Sequence, residues 1–357
     1  MYHGLQTEHL TRELLRFSPP RLGHDRLADI LWQHYGLSGD FKALAGERDQ
    51  NIRVRTASGA DYLLKLASPA EDPAVIDFQI CALDHLAMTA PDLPIPRNVP
   101  TLTGAAGVSL PDPAGGEAFH MRVLTYVSGH PMASVSQFRP GFVAETGDLM
   151  GRLNAAFQGF EHPASSHFMP WNILNGLITN PYLIENCLPD NLRAGCVCAL
   201  ARMSQGSFAR MADLPGGIIH NDAHTGNLLV DPETRTHVVG LIDFGDMLRG
   251  PLVQDVGTTL SSFAETCPDL VEISARYIGA LSRHVAFSDA QVDLVFDSIL
   301  ARLILTVQLM QFRVLENAKG AEMITDHELP RAIDTLDTVL ALEHTRFTRA
   351  LRDALGR

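Results

Sequence analysis

Asp222, Asn227 and Asp243 are the residues whose types and order fit a definite reaction. The first two stand in Ile218-Ile219-His220-Asn221-Asp222-Ala223-His224-Thr225-Gly226-Asn227-Leu228-Leu229-Val230. The third stands in Val238-Val239-Gly240-Leu241-Ile242-Asp243-Phe244-Gly245-Asp246. Transfer of a phosphoryl group to an alcohol needs the phosphate charge neutralised, the hydroxyl aligned and its proton accepted. Asp222 lies on a loop entered from the apolar pair Ile218-Ile219, where a carboxylate can take that proton. The carbonyl oxygen of Asn227 is a hard ligand suited to Mg²⁺. Asp243 ends an apolar strand and can chelate the metal that bridges the phosphates, while Gly245 lets the backbone turn sharply after it. Either half alone is commonplace, because Asp and Asn are frequent turn formers. The two halves in this order, downstream of a lysine-bearing strand, point to a site.

The elements that position these residues follow from periodicity. Amphipathic helices are expected at residues 5–16 and 25–36, with Pro19-Pro20 ending the first and Gly36 capping the second. A first strand is expected within 37–46. Gly46 to Asn51 forms a polar turn. Ile52 and Val54 then alternate with Arg53 and Arg55, and Tyr62 to Leu66 returns as the partner strand. Tyr62, Leu64 and Leu66 share one face, with Leu63 and Lys65 on the other. A lysine late in a strand is ordinarily a solvated edge charge. One strand after a tight loop, it stands where a kinase places the lysine that holds nucleotide phosphates. The helix expected at 73–88 should then offer Lys65 a partner, with Asp77, Gln79 and Asp84 as candidates.

Strands are expected at 107–110 and 118–126, joined by a turn at 112–116. Val127 to Pro131 breaks the pattern as a hinge. Beyond it the chain reads as helical at 139–160, 179–187, 189–211, 254–264, 268–284, 288–315 and 328–354, with capping-box spacing at Ser288 to Gln291. The short strands around Asp222 and Asp243 interrupt this helical half.

Bulk properties narrow the function classes. The chain has 357 residues, 46% of them hydrophobic and 19% charged, which is enough for two globular lobes. A net charge of −13 argues against nucleic acid as a partner, since phosphate backbones need a basic surface. Five scattered cysteines form neither a disulfide framework nor zinc-site spacing. No stretch reaches membrane-spanning length without charges, and the N-terminus lacks a signal-peptide pattern, so a cytoplasmic location is expected.

His220 to Val230 together with Gly240 to Met247 resembles the motifs of the aminoglycoside phosphotransferase/choline kinase-like family, in which the arginine of the protein-kinase HRD triplet is missing. The resemblance extends over about residues 25–350. Gly46-Glu47-Arg48-Asp49-Gln50-Asn51 is similar to a loop of the hydroxylysine kinase-like branch. The resemblance implies an α+β, two-lobed protein-kinase-like fold. Its β-rich nucleotide-binding lobe would span 1–126 and its mainly helical catalytic and acceptor-binding lobe 127–357. It implies that Lys65 holds the α- and β-phosphates of ATP or GTP, that Asp49, Gln50 and Asn51 lie over them, and that the backbone of Thr125, Tyr126 and Val127 receives the purine. Asp222 would be the base, Asn227 and Asp243 the Mg²⁺ ligands, and Asp246 a residue shaping the acceptor pocket or binding a substrate ammonium. Asp255 would brace the catalytic loop from the next helix. His224 occupies a variable position with a phosphate-contacting or loop-packing role. Gln79 stands where the family has Glu.

For the acceptor, Asp246, Trp171, Asn172 and the helices of 255–315 should line the pocket. Trp171 has a face for a cation. Arg249, Arg302 and Arg313 are candidates for a bidentate carboxylate contact, and Arg302 stands out in its apolar setting of Ile299, Leu300, Leu303 and Ile304. A structural ion pair is the competing reading for Arg302. The expected acceptor is a small hydroxyl compound bearing an amine, of the hydroxylysine type. Aminoglycoside, choline and homoserine stay open, as does a catalytically silent nucleotide-binding scaffold suggested by Gln79. Oligomeric state has no signal in the sequence.

Overall fold

A computed structural model describes residues 21–46, 48–111, 118–136, 138–267, 269–316, 324 and 327–357. The helix expected at 5–16 and the turn expected at 112–116 lie outside the described residues. The described chain divides into two compact units, the second comprising Ser128–Arg357.

The first unit is a helix-flanked antiparallel sheet. Helix α1 (His24–Tyr35) ends at Gly36, whose φ of 64° is left-handed and whose N–H closes on Trp32 O. Strands β1 (Asp40–Leu44), β2 (Gln50–Arg55) and β3 (Asp61–Leu66) form a meander. Helix α2 (Pro73–Thr89) follows, started by Pro73 at its first position and by the Asp72 side chain, which accepts from Ala74 N. Strands β4 (Asn98–Val99), β5 (Val108–Leu110) and β6 (Phe119–Thr125) complete the sheet in the order β1-β2-β3-β6-β4, with β5 also on β6. Leu27, Ile30 and Leu31 of α1 pack on Ile52, Val54, Leu64 and Leu66 of the sheet. That burial fixes register, because a one-residue slip would turn the apolar set outward. Lys65 consequently pairs with Asn51 on one side and Arg122 on the other.

The second unit is helical around two small sheets. A short strand β7 (His130–Pro131) precedes helix α3 (Pro140–Ala156). Helices α4 (Pro181–Asn186) and α5 (Asp190–Arg202) follow. A π turn at Met203–Ser207 leads into α6 (Phe208–Ala212). Strands β8 (Gly216–Ile219), β9 (Leu228–Val230), β10 (Val238–Leu241) and β11 (Leu248–Pro251) come next. The remainder is α7 (Leu252–Ala264), α8 (Leu270–Leu281), α9 (Asp289–Val292), α10 (Val295–Leu315), α11 (Glu328–Leu340) and α12 (His344–Ala354).

Two expected helices are revised, and the strand at 216–219 does not pair with the one after it. Strand β8 pairs antiparallel with β11, whose Arg-Gly-Pro composition carries no strand pattern, while β9 lies between β10 and β7. The helix expected at 288–315 is two helices. The capping box does form, with Gln291 N donating to Ser288 Oγ and Ser288 N to Gln291 Oε1, but it starts only the short α9. The helix expected at 328–354 breaks before Glu343, whose carboxylate caps α12 through Thr345 N and Arg346 N. Helix α10 has the length and apolarity of a membrane span, yet 83% of its most apolar stretch is buried inside the protein.

Helix α7 sits on α10 through Gly257. A Cβ there would lie 2.1 Å from Ser298 Oγ and 2.8 Å from the Ser298 carbonyl carbon. Ser298 Oγ is itself held on Val253 O at 2.9 Å. Helix propensity alone favours alanine by about 1 kcal/mol. Overpacking against backbone costs about 1–3 kcal/mol and opposes that gain. Gly257→Ala should therefore lower unfolding free energy by up to about 2 kcal/mol net in urea titrations. A gain in stability would show that α7 and α10 separate freely.

Candidate active site

The two small sheets frame the site. The loop 220–227 leaves β8 and enters β9, and the loop 242–247 leaves β10 and enters β11. Ile242 N donates to Asn227 O at 3.0 Å, which sets Asn227 beside the residue that precedes Asp243. His220, fully buried, joins the same two loops. Its Nδ1 accepts from Asp222 N at 3.2 Å, so the ring proton sits on Nε2, 3.2 Å from Ile242 O. Burial pushes the His220 pKa down and keeps the ring neutral. Phe244 meets that ring edge to face.

Asn221 and Asp243, the residues at the turning points of the two loops, both have a φ of 63°. Asn and Asp enter this left-handed region more readily than other non-glycine residues, but it still needs support from outside. Helix α7 supplies it for Asn221. Asp255 Oδ1 accepts from Asn221 N at 2.8 Å and its Oδ2 from His220 N at 3.3 Å. Asn154 Nδ2 of α3 reaches the same Oδ2 at 3.5 Å, and Gln254 Nε2 donates to Asn221 Oδ1 at 2.8 Å. Burial pushes the Asp255 carboxyl above its ordinary range, against the pull of His220 and these donors. The bracing role implied for Asp255 is thus visible as hydrogen bonds.

Both oxygens of Asp222 are engaged. Oδ2 accepts from Asn227 Nδ2 at 2.8 Å, and Oδ1 from Arg302 Nη2 at 3.0 Å. Asn227 Nδ2 also reaches Asp222 O at 2.9 Å. Its nitrogen thus donates twice to Asp222, which fixes the orientation of the Asn227 amide. His224 Nδ1 accepts from Gly226 N at 3.0 Å, and its Nε2 lies 3.6 Å from Asp222 Oδ2. Burial alone would raise the Asp222 pKa, but the His224 and Arg302 charges outweigh it and hold the carboxyl below the usual range. Burial would likewise lower His224, and the Asp222 carboxylate outweighs it, so His224 is raised.

Asp243 is exposed at the end of β10, and Asp246 is buried at the end of the helical turn Phe244–Asp246. Trp171 packs against Met169, Ile219 and Leu248. The guanidinium of Arg302 lies 5.0 Å from the Trp171 ring centre and that of Arg313 5.3 Å. Arg302 Nη1 also donates to Trp171 O and Asn221 O, both at 3.1 Å. Of the two readings open for Arg302, the structure displays an ion pair, made with Asp222 itself.

In the first unit, Lys65 is buried and its Nζ lies 3.2 Å from Asp49 Oδ2. This carboxylate stands on the loop before β2, outside the α2 candidates that the sequence offered. Gln79 of α2, also buried, accepts from the Arg122 guanidinium, on the residue paired with Lys65. Neighbouring cations on β3 and β6 thus each have an oxygen acceptor. Asn51 Nδ2 donates to Ala45 O at 3.1 Å. The Gln50 amide exchanges two 2.9 Å hydrogen bonds with the Leu22 backbone, which makes it a tie to the segment before α1. Thr125 N donates to Arg97 O at 2.8 Å and Tyr126 N to Asp61 O at 3.2 Å. The Arg53 guanidinium covers the Tyr126 ring at 4.5 Å. Val127 follows at the end of this unit. Sequence reasoning missed Arg122, His220, Asn154 and Gln254. Only His220 and Gln254 had a signal, their adjacency to residues already singled out.

A model of the phosphotransferase enzyme family matches residues 40–287. Hydroxylysine kinase of Danio rerio is 23% identical over 334 residues, covering 89% of this chain and 92% of that protein. Among solved structures, a microcompartment-associated aminopropanol kinase superposes with a TM-score of 0.67 at 20% identity, over 93% of this chain and 99% of that one. Amicoumacin kinase, solved with AMP-PNP, Ca²⁺ and Ami, gives a TM-score of 0.67 at 15% identity, over 91% and 97% of the two chains. These likenesses establish the kinase-like α+β fold that the sequence predicts.

Proposed function

This chain belongs to the phosphotransferase enzyme family, and we propose that it transfers the γ-phosphoryl group of ATP or GTP to a hydroxyl of an amino alcohol or hydroxy-amino acid of the hydroxylysine type. One observation carries the reading. The Asp222 carboxylate is fixed through both oxygens by Asn227 and Arg302, on a loop tied by His220 to the strand that ends at Asp243.

In the proposed reaction Asp222 orients the acceptor hydroxyl and takes its proton. The acceptor oxygen forms its bond to the γ-phosphorus as the bond to the β,γ-bridging oxygen breaks, and the nucleoside diphosphate leaves with those electrons. Asn227 Oδ1 and Asp243 fit a divalent cation by their chemistry: hard oxygens on adjoining loops, the amide turned by its two donated hydrogen bonds. When bound, Mg²⁺ would neutralise phosphate charge there. Lys65, steadied by Asp49, is assigned to the phosphates, with Asn51 near them. At the purine position the N–H groups of Thr125 and Tyr126 donate to Arg97 O and Asp61 O, so the purine contact is assigned to Val127. Asp246 is assigned to the substrate ammonium and Trp171 to the pocket wall. The silent-scaffold alternative rested on Gln79. Asp49 beside Lys65 supplies the charge that Gln79 lacks, which supports the active reading.

The reading is tested by nucleoside-diphosphate release with hydroxylysine, homoserine, choline, ethanolamine and aminoglycosides, each with ATP and with GTP and Mg²⁺. Release with an amine-bearing hydroxy compound, at the roughly 1–100 s⁻¹ usual for kinases, is the expected result. Silence across the set, with nucleotide still bound, would favour the scaffold.

A further inference from the structure

We infer that Arg302 is a positioning residue that sets the orientation of the Asp222 carboxylate and locks it to the Trp171 wall; this rests on Asp222 being the base of the proposed phosphotransfer. Arg302 is 5% exposed on α10, among the buried side chains of Ile299, Leu300, Leu303 and Ile304. A guanidinium is costly to bury unless its donors are met. Here three acceptors on two segments meet them. Nη2 holds Asp222 Oδ1 at 3.0 Å, while Nη1 holds Asn221 O and Trp171 O at 3.1 Å each.

The division of donors matters. Nη1 fixes the backbone immediately before Asp222, and Nη2 fixes the side chain of Asp222 itself. The planar fork therefore sets backbone and carboxylate together, which a single ammonium cannot do. Asn227 Nδ2 fixes the other oxygen. A carboxylate has about four lone-pair sites, so one donor on each oxygen leaves a site for the acceptor hydroxyl. Arg302 need not touch the acceptor to act. Its carbonyl contact and its stacking at 5.0 Å join it to Trp171, so the base and one wall of the acceptor pocket move as a unit.

The pair is tested with Arg302→Lys and Arg302→Ala, using the acceptor that the release screen identifies. Misplacement of a base by about 1 Å costs on the order of 10²-fold in rate. Arg302→Lys should therefore lower kcat by about that factor while the nucleotide KM stays within about twofold. Guanidinium ion added to Arg302→Ala should restore part of kcat, with urea and equimolar NaCl as controls. A Lys variant that keeps kcat and loses only thermal stability would overturn the inference, as would a folded Ala variant that guanidinium does not rescue. If Ala does not fold, Arg302→Gln replaces it in the rescue. If wild type phosphorylates no acceptor, the proposed function fails, and the pair is judged by a double-mutant cycle of Arg302→Gln and Asp222→Asn in Tm. Non-additive shifts would support the lock and additive shifts would overturn it.

Discussion

Asp222→Asn should lower kcat by roughly 10²–10⁴-fold, the range that a positioned general base contributes, with nucleotide affinity close to wild type. The substitution keeps size and planarity but removes the basic oxygen pair. It also changes the hydrogen-bond polarity of the site. Asn227 Nδ2 and Arg302 Nη2 both donate to this carboxylate, and an amide can accept only at its single oxygen. Asp222→Ala should be equally inactive and less stable. It leaves the buried Arg302 guanidinium without its carboxylate, and stripping one partner from a buried pair costs about 3–5 kcal/mol. The two variants separate chemistry from folding. Equal losses of kcat with unequal Tm assign the rate effect to the lost base. Full turnover in a folded Asp222→Asn protein would remove Asp222 from that role. Fluorescent-nucleotide binding supplies the affinity, and coupled diphosphate release supplies kcat.

The parts of the site that were legible in the sequence are those whose chemistry is local. Asp222 and Asn227 stand five residues apart, and Asp243 ends the hairpin that follows, so residue type and spacing were enough to single them out as candidates. Lys65 was legible because alternation in β3 assigned it a face. Arg302 was noticed for its apolar surroundings, but its employment was not readable. The acceptors are a carboxylate 80 residues away and a carbonyl 131 residues away, and only the packing of α10 brings them together. Gln79 was read only as one of three candidates beside the lysine on β3; the sheet register places Arg122 next to that lysine and gives Gln79 a guanidinium to receive, which no local pattern announced. In the fold, elements with a strong apolar period were found, and those made by backbone pairing alone were missed. Strand β11 is Leu-Arg-Gly-Pro, and its pairing to β8 comes from position rather than propensity. The breaks before α10 and α12 had no Pro or Gly to mark them.

Asp243 separates the metal question from the base question. Its φ of 63° means that alanine brings two changes at once, loss of a carboxylate and strain of about 1–2 kcal/mol in the left-handed region. Asp243→Gly removes the carboxylate without that strain, and Asp243→Asn tolerates the backbone while keeping one neutral oxygen. All three should lose the gain in nucleotide affinity that Mg²⁺ confers on wild type, and kcat/KM should fall by roughly 10²–10³-fold, as when a preorganised electrostatic group is removed. Asp243→Ala should also unfold at a lower temperature than Asp243→Gly. The ordering discriminates between causes. If the glycine variant retains the Mg²⁺ dependence and only alanine loses it, the backbone turn matters and the carboxylate is not a ligand. If glycine and asparagine both lose it while Asp222→Asn keeps it, the two acids have divided the work as proposed. Asn227 then supplies its own check, because its amide nitrogen is held by Asp222. Asp222→Asn should weaken that hold and reduce Mg²⁺-dependent affinity slightly, by less than the loss of Asp243.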